Sequence, residues 1–178
     1  MLELRAFFEV ASLPYAVPML MQAPSGDGHP VLLLPGFMGS EGSLIALELF
    51  LRNRGYNVQT WGLGRNVGFR PGHASAIEQK IRYMHHESGR KVSLVGWSLG
   101  GVFALYGAHQ ASECVRNVVT LGSPVTVDAE GNAVPSLLKA LYRLIAHPMG
   151  PDAHTMQPRA KKLRERKELP VPMSCLYS

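Results

Sequence analysis

The chain has 178 residues, of which 46% are hydrophobic and 17% are charged. This length and balance are typical of one globular domain with its own core, and they exclude a chain that is disordered overall. The net charge of +5 comes mainly from residues 159–168, which carry six basic and two acidic side chains. Because that short run contains no aromatic residues, it favours a solvated helix face, and we expect no nucleic-acid partner.

The cysteines and the apolar segments indicate the expected compartment. Cys114 and Cys175 form neither a disulfide framework nor a Cys-x-x-Cys pair, so we expect both to be buried in apolar packing. The first ten residues lack the basic region of a signal peptide, and no stretch reaches the roughly 20 apolar residues of a membrane-spanning helix. We therefore expect a cytoplasmic protein. Residues 2–13 could form an amphipathic helix that packs on the domain or makes peripheral membrane contact.

Strand and helix patterns alternate along the sequence. Apolar runs predict parallel strands at residues 30–36, 56–61, 91–95, 115–121 and 170–177. Helical spacing of apolar residues predicts helices at residues 44–54, 73–88 and 102–110. We expect Ser43 to cap the first helix, and Gly55 and Gly89 to end the first and second. The alternation predicts an α/β fold with a doubly wound, mostly parallel sheet and with its chemistry at the carboxyl ends of the strands.

Residues 124–169 interrupt this alternation. A helix is predicted near residues 135–146, followed by the helix-breaking sequence His-Pro-Met-Gly-Pro. The segment is interpreted as a cap or lid inserted over the strand ends. The alternative is a plain crossover that contains an extra helix.

The most informative motif lies between the third strand and the third helix. Residues 96–100 read Gly-Trp-Ser-Leu-Gly, and a strand, Gly-x-Ser-x-Gly and a helix form the layout of a nucleophile elbow. Gly96 and Gly100 are expected at positions where a Cβ would collide with the neighbouring strand and helix. The motif predicts that Ser98 is the catalytic nucleophile. The alternative is an elbow with a purely structural role.

Two backbone N–H groups are predicted to stabilise an oxyanion beside this serine. Leu99 follows the nucleophile at the start of a helix, where N–H groups lack intrahelical partners. Phe37 lies in the sequence Pro-Gly-Phe-Met-Gly directly after the first strand. We expect the N–H groups of Phe37 and Leu99 to form the oxyanion hole.

The glycine-rich loop at residues 62–68 superficially suggests dinucleotide binding. The fingerprint requires Gly-x-Gly-x-x-Gly at the opening of a helix, whereas residues 70–72 prolong the loop instead. We therefore reject this cofactor site. Arg65 and Asn66 are expected to brace the loop beside the active-site cleft.

Four motifs resemble the α/β-hydrolase superfamily, in particular its bacterial lipase and esterase-like members. They are Leu-Leu-Pro-Gly-Phe at residues 33–37, Trp-Gly-Leu-Gly-Arg-Asn at 61–66, Gly-Trp-Ser-Leu-Gly-Gly at 96–101 and Leu-Gly-Ser-Pro at 121–124. The resemblance covers about residues 30–178. It implies a Ser-acid-His triad, attack on an ester carbonyl, an acyl-enzyme and its hydrolysis by water, with no metal and no organic cofactor.

The acid and the histidine of such a triad are harder to place. In the superfamily the acid normally follows the strand that residues 170–177 resemble, and the histidine follows one strand later. Because this sequence ends at Ser178, we expect a partial domain that lacks the acid, the histidine and the last strand and helix. An exposed edge at residues 170–177 would then promote self-association. The alternative is a triad completed inside the chain by Asp128 with His147 or His154.

The leading functional hypothesis is an esterase or lipase-like hydrolase that acts on a small-molecule or lipid ester. The apolar residues Phe37, Met38, Trp97 and Leu99 around the site favour an apolar acyl chain. An acyltransferase, a thioesterase or an amidase could use the same fold and triad. A third hypothesis, from a different class, is a non-catalytic fragment that serves as a binding module.

Overall fold

The computed structural model describes residues 18 and 20 and residues 22–70, 72–123 and 170–176. Several predictions lie outside these residues. They are the amphipathic helix at 2–13, the insertion at 124–169 with its helix, and the internal triad candidates Asp128, His147 and His154.

All five predicted strands are present and form one sheet. They are β1 (Pro30–Leu34), β2 (Asn57–Thr60), β3 (Val92–Trp97), β4 (Val115–Leu121) and β5 (Met173–Leu176). Their spatial order is β2-β1-β3-β4-β5, and every neighbouring pair is parallel. The connections run outward in opposite directions from β1 and β3, and ligands bind at such a reversal in open α/β sheets.

The predicted helices pack on both faces of the sheet. They are α1 (Ile45–Asn53), α2 (His73–Ser88) and α3 (Leu99–Gln110). Because alternate residues of a strand face opposite sides, β1 serves two cores. Leu32 and Leu34 pack with residues of α2 and α3, whereas Val31 and Leu33 pack with residues of α1. The predicted doubly wound α/β architecture is confirmed.

The start of α1 differs from the prediction. Ser43 lies inside a 3₁₀ turn, Glu41–Leu44, and its hydroxyl donates a hydrogen bond to the Ser40 carbonyl at 2.6 Å. It therefore does not cap the helix, which begins at Ile45 with no side-chain cap. The prediction of a Ser43 cap was wrong because the chain enters α1 through that tighter turn.

The ends of the helices follow the glycines as predicted. Gly55 follows α1 with a φ of 89°, and Gly89 follows α2 with a φ of 63°. Both φ values lie in the left-handed region that favours glycine.

Strand β5 begins later than the sequence suggested. Its first residue is Met173 rather than Pro170, because Pro170 and Pro172 cannot donate ladder hydrogen bonds. Among the described strands, β5 and β2 lie at the two edges. Self-association through β5 remains a prediction.

Two further predictions concern burial. Cys114 is 5% exposed and belongs to the core, as expected, but Cys175 is only half-buried. Burial raises the pKa of the Cys114 thiol.

None of the helices that the structure describes has the length and apolar character needed to cross a bilayer.

Candidate active site

Ser98 lies at the carboxyl edge of the sheet, between the last residue of β3 and the first residue of α3. Its φ of 51° and ψ of −118° are unusual for a residue with a side chain. Its N–H donates to the Leu121 carbonyl at 2.9 Å, and its carbonyl accepts from the Gly101 N–H at 3.0 Å. The strained turn is thus held from both sides, and Ser98 remains partly exposed.

The glycines of the motif allow this turn to pack against its neighbours. A Cβ at Gly96 would lie 2.4 Å from the Gly100 carbonyl oxygen, and a Cβ at Gly100 would lie 2.1 Å from the Leu34 carbonyl oxygen. Because both neighbours are backbone atoms, no side-chain rotation could relieve the contacts. The predicted need for Gly96 and Gly100 is confirmed.

The segment after β1 forms a turn that lies directly against this elbow. The Gly39 N–H donates to the Gly36 carbonyl at 3.0 Å, and Met38 has a φ of 60°, as the third residue of a type II turn requires. A Cβ at Gly36 would lie 3.3 Å from the Cβ of Ser98. The turn and Ser98 are therefore neighbours.

The N–H groups of the two predicted oxyanion donors share one feature. Within the described residues, neither the Phe37 N–H nor the Leu99 N–H has a hydrogen-bond acceptor. The Leu99 N–H is the first of α3, so it also lies at the positive end of the helix dipole. Such groups can bind a developing negative charge.

Two large apolar side chains flank the elbow. Trp97 is 44% exposed and Met38 is 51% exposed. A Cβ at Gly36 would lie 3.4 Å from the Trp97 ring, so the turn also contacts this side chain. Two apolar side chains are therefore exposed at the elbow and the neighbouring turn.

The expected bracing by Arg65 and Asn66 holds for one of the two. The Asn66 side chain is fully buried and donates to the Pro35 carbonyl at 2.7 Å. Arg65 is exposed, and its side chain forms no hydrogen bond or ion pair with the described residues.

A general base for Ser98 is not found among the described residues. No histidine or carboxylate of this part of the chain is hydrogen-bonded to the Ser98 hydroxyl. Likewise, the residues that the structure covers contain no group of three histidine, cysteine or acidic side chains that could hold a metal.

A polar network that the sequence did not predict lies at the amino ends of the strands, opposite the ends that carry Ser98. His29 Nε2 lies 2.9 Å from the Ser93 hydroxyl, and His29 Nδ1 is hydrogen-bonded to the Asp27 carboxylate. These are the residue types of a catalytic triad, but Ser93 is only 6% exposed. It also precedes Ser98 by five residues of extended chain, which is about 16 Å. The contact joins residues 64 positions apart, so no local pattern could reveal it.

Two arginines complete this network. Arg90 and Arg116 contact the Asp27 carboxylate at 2.6 and 3.1 Å. Hydrogen bonds from His29 and Arg116 hold the pKa of Asp27 well below its usual range. The network ties the segment before β1 to β3 and β4.

Solved structures resemble the chain over most of its length. A monoacylglycerol lipase from Paleococcus ferrophilus aligns with a TM-score of 0.56 and 16% identity, over 86% of this chain and 74% of that one. The mature lipase BlEst2 of Bacillus licheniformis aligns with a TM-score of 0.55 and 20% identity, over 86% and 67%. MGS-MChE2, described as an α/β-hydrolase enzyme from a lagoon-sediment metagenome, aligns with a TM-score of 0.50 and 18% identity, over 86% and 69%.

Sequence comparison shows a similarity over a smaller part of the chain. The mouse serine hydrolase BPHL is 28% identical over 120 residues, which are 61% of this chain and 41% of the mouse protein. The chain therefore spans less than half the length of that relative. No family model matches the chain. Together with the parallel sheet and the elbow, the structural similarity shows that this chain has the α/β-hydrolase fold.

Proposed function

We propose that the protein is a serine hydrolase that cleaves carboxylic esters, with Ser98 as the nucleophile. The observation that carries the proposal is the strained conformation of Ser98 at the start of α3, beside two N–H groups that have no acceptor in the described part of the chain. The relatives support it, since two of the structural neighbours are lipases and the mouse relative is a serine hydrolase.

The reaction would proceed through an acyl-enzyme. The Ser98 hydroxyl loses its proton to a base as its oxygen attacks the ester carbonyl, and the N–H groups of Phe37 and Leu99 stabilise the oxyanion. The bond to the alcohol then breaks, and the alcohol takes up the proton. Water attacks the acyl-enzyme in the same way, which releases the acid and restores the serine.

A serine hydroxyl is a poor nucleophile at neutral pH, so the reaction requires a base. The candidates within the chain are His147 and His154, with Asp128 as the orienting acid. All three lie outside the described residues. Replacing each histidine by alanine tests them separately from Ser98.

The exposed apolar side chains of Met38 and Trp97 support an ester with an apolar acyl chain. We expect kcat/KM to rise with acyl length as more of the chain is buried against them. Trp97→Ala should lower kcat/KM on long-chain esters by a larger factor than it lowers kcat/KM on an acetyl ester. An unchanged dependence would assign the acyl site to other residues.

The deciding experiment compares Ser98→Ala with Ser93→Ala in the protein expressed from its complete reading frame. Both variants remove a hydroxyl from the same stretch of chain, but only Ser98 is in the elbow. We expect Ser98→Ala to lose hydrolysis of p-nitrophenyl esters and Ser93→Ala to retain it. Full activity in Ser98→Ala would refute the proposal.

Adding an alcohol to the same assay distinguishes hydrolysis from acyl transfer. A hydrolase releases mainly the free acid, whereas a transferase forms mainly the new ester. Dominant ester formation would replace our assignment by acyl transfer. Specific ester binding without turnover would instead favour a binding module.

A further inference from the structure

We infer that Asn66 is a positioning residue for this reaction, which holds the turn at residues 35–39 against the nucleophile elbow. The inference rests on the proposed role of Ser98. It means that Asn66, which is remote in sequence from Phe37, fixes the position of the Phe37 N–H that is proposed as an oxyanion donor.

Asn66 contacts the 35–39 turn at three points. Its side-chain Nδ2 donates to the Pro35 carbonyl at 2.7 Å. Its backbone carbonyl accepts from the Met38 N–H at 2.6 Å, and its backbone N–H donates to the Gly39 carbonyl at 2.8 Å. One fully buried residue thus binds the start, the middle and the end of the turn.

The side chain at this position must both donate and accept. While Nδ2 donates to Pro35, Oδ1 accepts from the Gly68 N–H at 3.1 Å. Aspartate could accept from Gly68 but could not donate as a carboxylate, and alanine could do neither. Either substitution leaves the Pro35 carbonyl without this partner in a buried site.

The backbone contact determines which N–H of the turn is free. Met38 has a φ of 60° although it is not glycine, so its conformation requires support from its surroundings. The bond from the Met38 N–H to Asn66 provides this support and occupies that donor. The Phe37 N–H is left unpaired within the described residues, as an oxyanion donor must be.

The loop that carries Asn66 is itself anchored. Trp61 is 3% exposed in the core, and its indole N–H donates to the Gly64 carbonyl at 2.9 Å. The Gly64 N–H donates to the Glu41 carboxylate at 3.1 Å. Asn66 therefore connects the turn to a fixed part of the fold rather than to a second free loop.

The test compares Asn66→Ala and Asn66→Asp with Ser93→Ala. The Ser93 variant removes a buried hydrogen bond at the amino ends of the strands, away from the turn. We expect kcat on a p-nitrophenyl ester to fall by about 100-fold in both Asn66 variants, with KM within about threefold of wild type. Amide hydrogen exchange of peptides covering residues 35–40 should accelerate by about tenfold or more. Ser93→Ala should change neither quantity.

A kcat within about threefold of wild type, or unchanged exchange in residues 35–40, would overturn the inference. An equal loss of kcat in Ser93→Ala would also overturn it, if that variant and the Asn66 variants lower the melting temperature by the same amount. If Ser98→Ala retains activity, the proposed function fails, while the exchange measurement still decides whether Asn66 holds the turn. If Asn66→Ala does not fold, the isosteric Asn66→Asp provides both readouts.

Discussion

Gly100→Ala tests how tightly the nucleophile elbow packs on β1. The added Cβ would lie 2.1 Å from the Leu34 carbonyl oxygen and 2.8 Å from the Pro35 carbonyl oxygen. Relief to ordinary van der Waals distance requires the backbones of α3 and β1 to separate by more than an ångström. Overpacking of this kind lowers the free energy of unfolding by about 1–3 kcal/mol. A misplacement of about 1 Å in an active site lowers the rate by about 100-fold.

Urea denaturation and ester hydrolysis measure the two effects on the same sample. The matched control is Gly42→Ala, since a Cβ there would meet only Ser40 Oγ, at 3.8 Å, among the side chains and backbone outside its own turn. We expect Gly42→Ala to change the free energy of unfolding by less than about 0.5 kcal/mol. Wild-type stability and activity in Gly100→Ala would refute the packing argument.

Three further predictions concern titration and reactivity. Hydrogen bonds from His29 and Arg116 lower the pKa of Asp27, so its contribution to stability is present above the unfolded pKa of about 3.9 and is lost as pH falls below it. The loss of unfolding free energy in Asp27→Asn, relative to wild type, should therefore be larger at pH 7 than at pH 2, and an equal loss at both values would contradict this. Burial lowers the pKa of His73, so wild-type stability should fall as pH drops below about 6.5. Thermal melts between pH 7 and 5 should show a weaker fall in His73→Gln. Cys114 is buried with a raised pKa, so peptide mass spectrometry should find it unmodified by a thiol reagent until the protein unfolds; rapid labelling of the native protein would contradict its placement.

The sequence predicted the sheet and the elbow because each depends on local patterns. Continuous apolar runs mark buried parallel strands, and β4 spans residues 115–121 as expected. The Gly-x-Ser-x-Gly motif specifies a close backbone approach that its own spacing encodes. Ser98 and its glycines could therefore be identified without coordinates.

The supporting contacts could not be predicted in the same way. Asn66 is 31 residues from Pro35, and only the parallel arrangement of β1 and β2 brings their following loops together. The contact of His29 with Ser93 likewise depends on the register of β1 with β3. The prediction that Ser43 caps α1 failed for another reason. A serine before a helical run can either cap an α-helix or donate within a 3₁₀ turn.

Labelling by a fluorophosphonate probe, followed by peptide mass spectrometry, tests most directly that Ser98 is an activated nucleophile. Only a serine with a functional base and oxyanion site reacts rapidly with such a probe. We predict one adduct on the peptide that contains Ser98, and its absence in Ser98→Ala but not in Ser93→Ala. An adduct on another serine, or none in the folded protein expressed from its complete reading frame, would contradict the assignment.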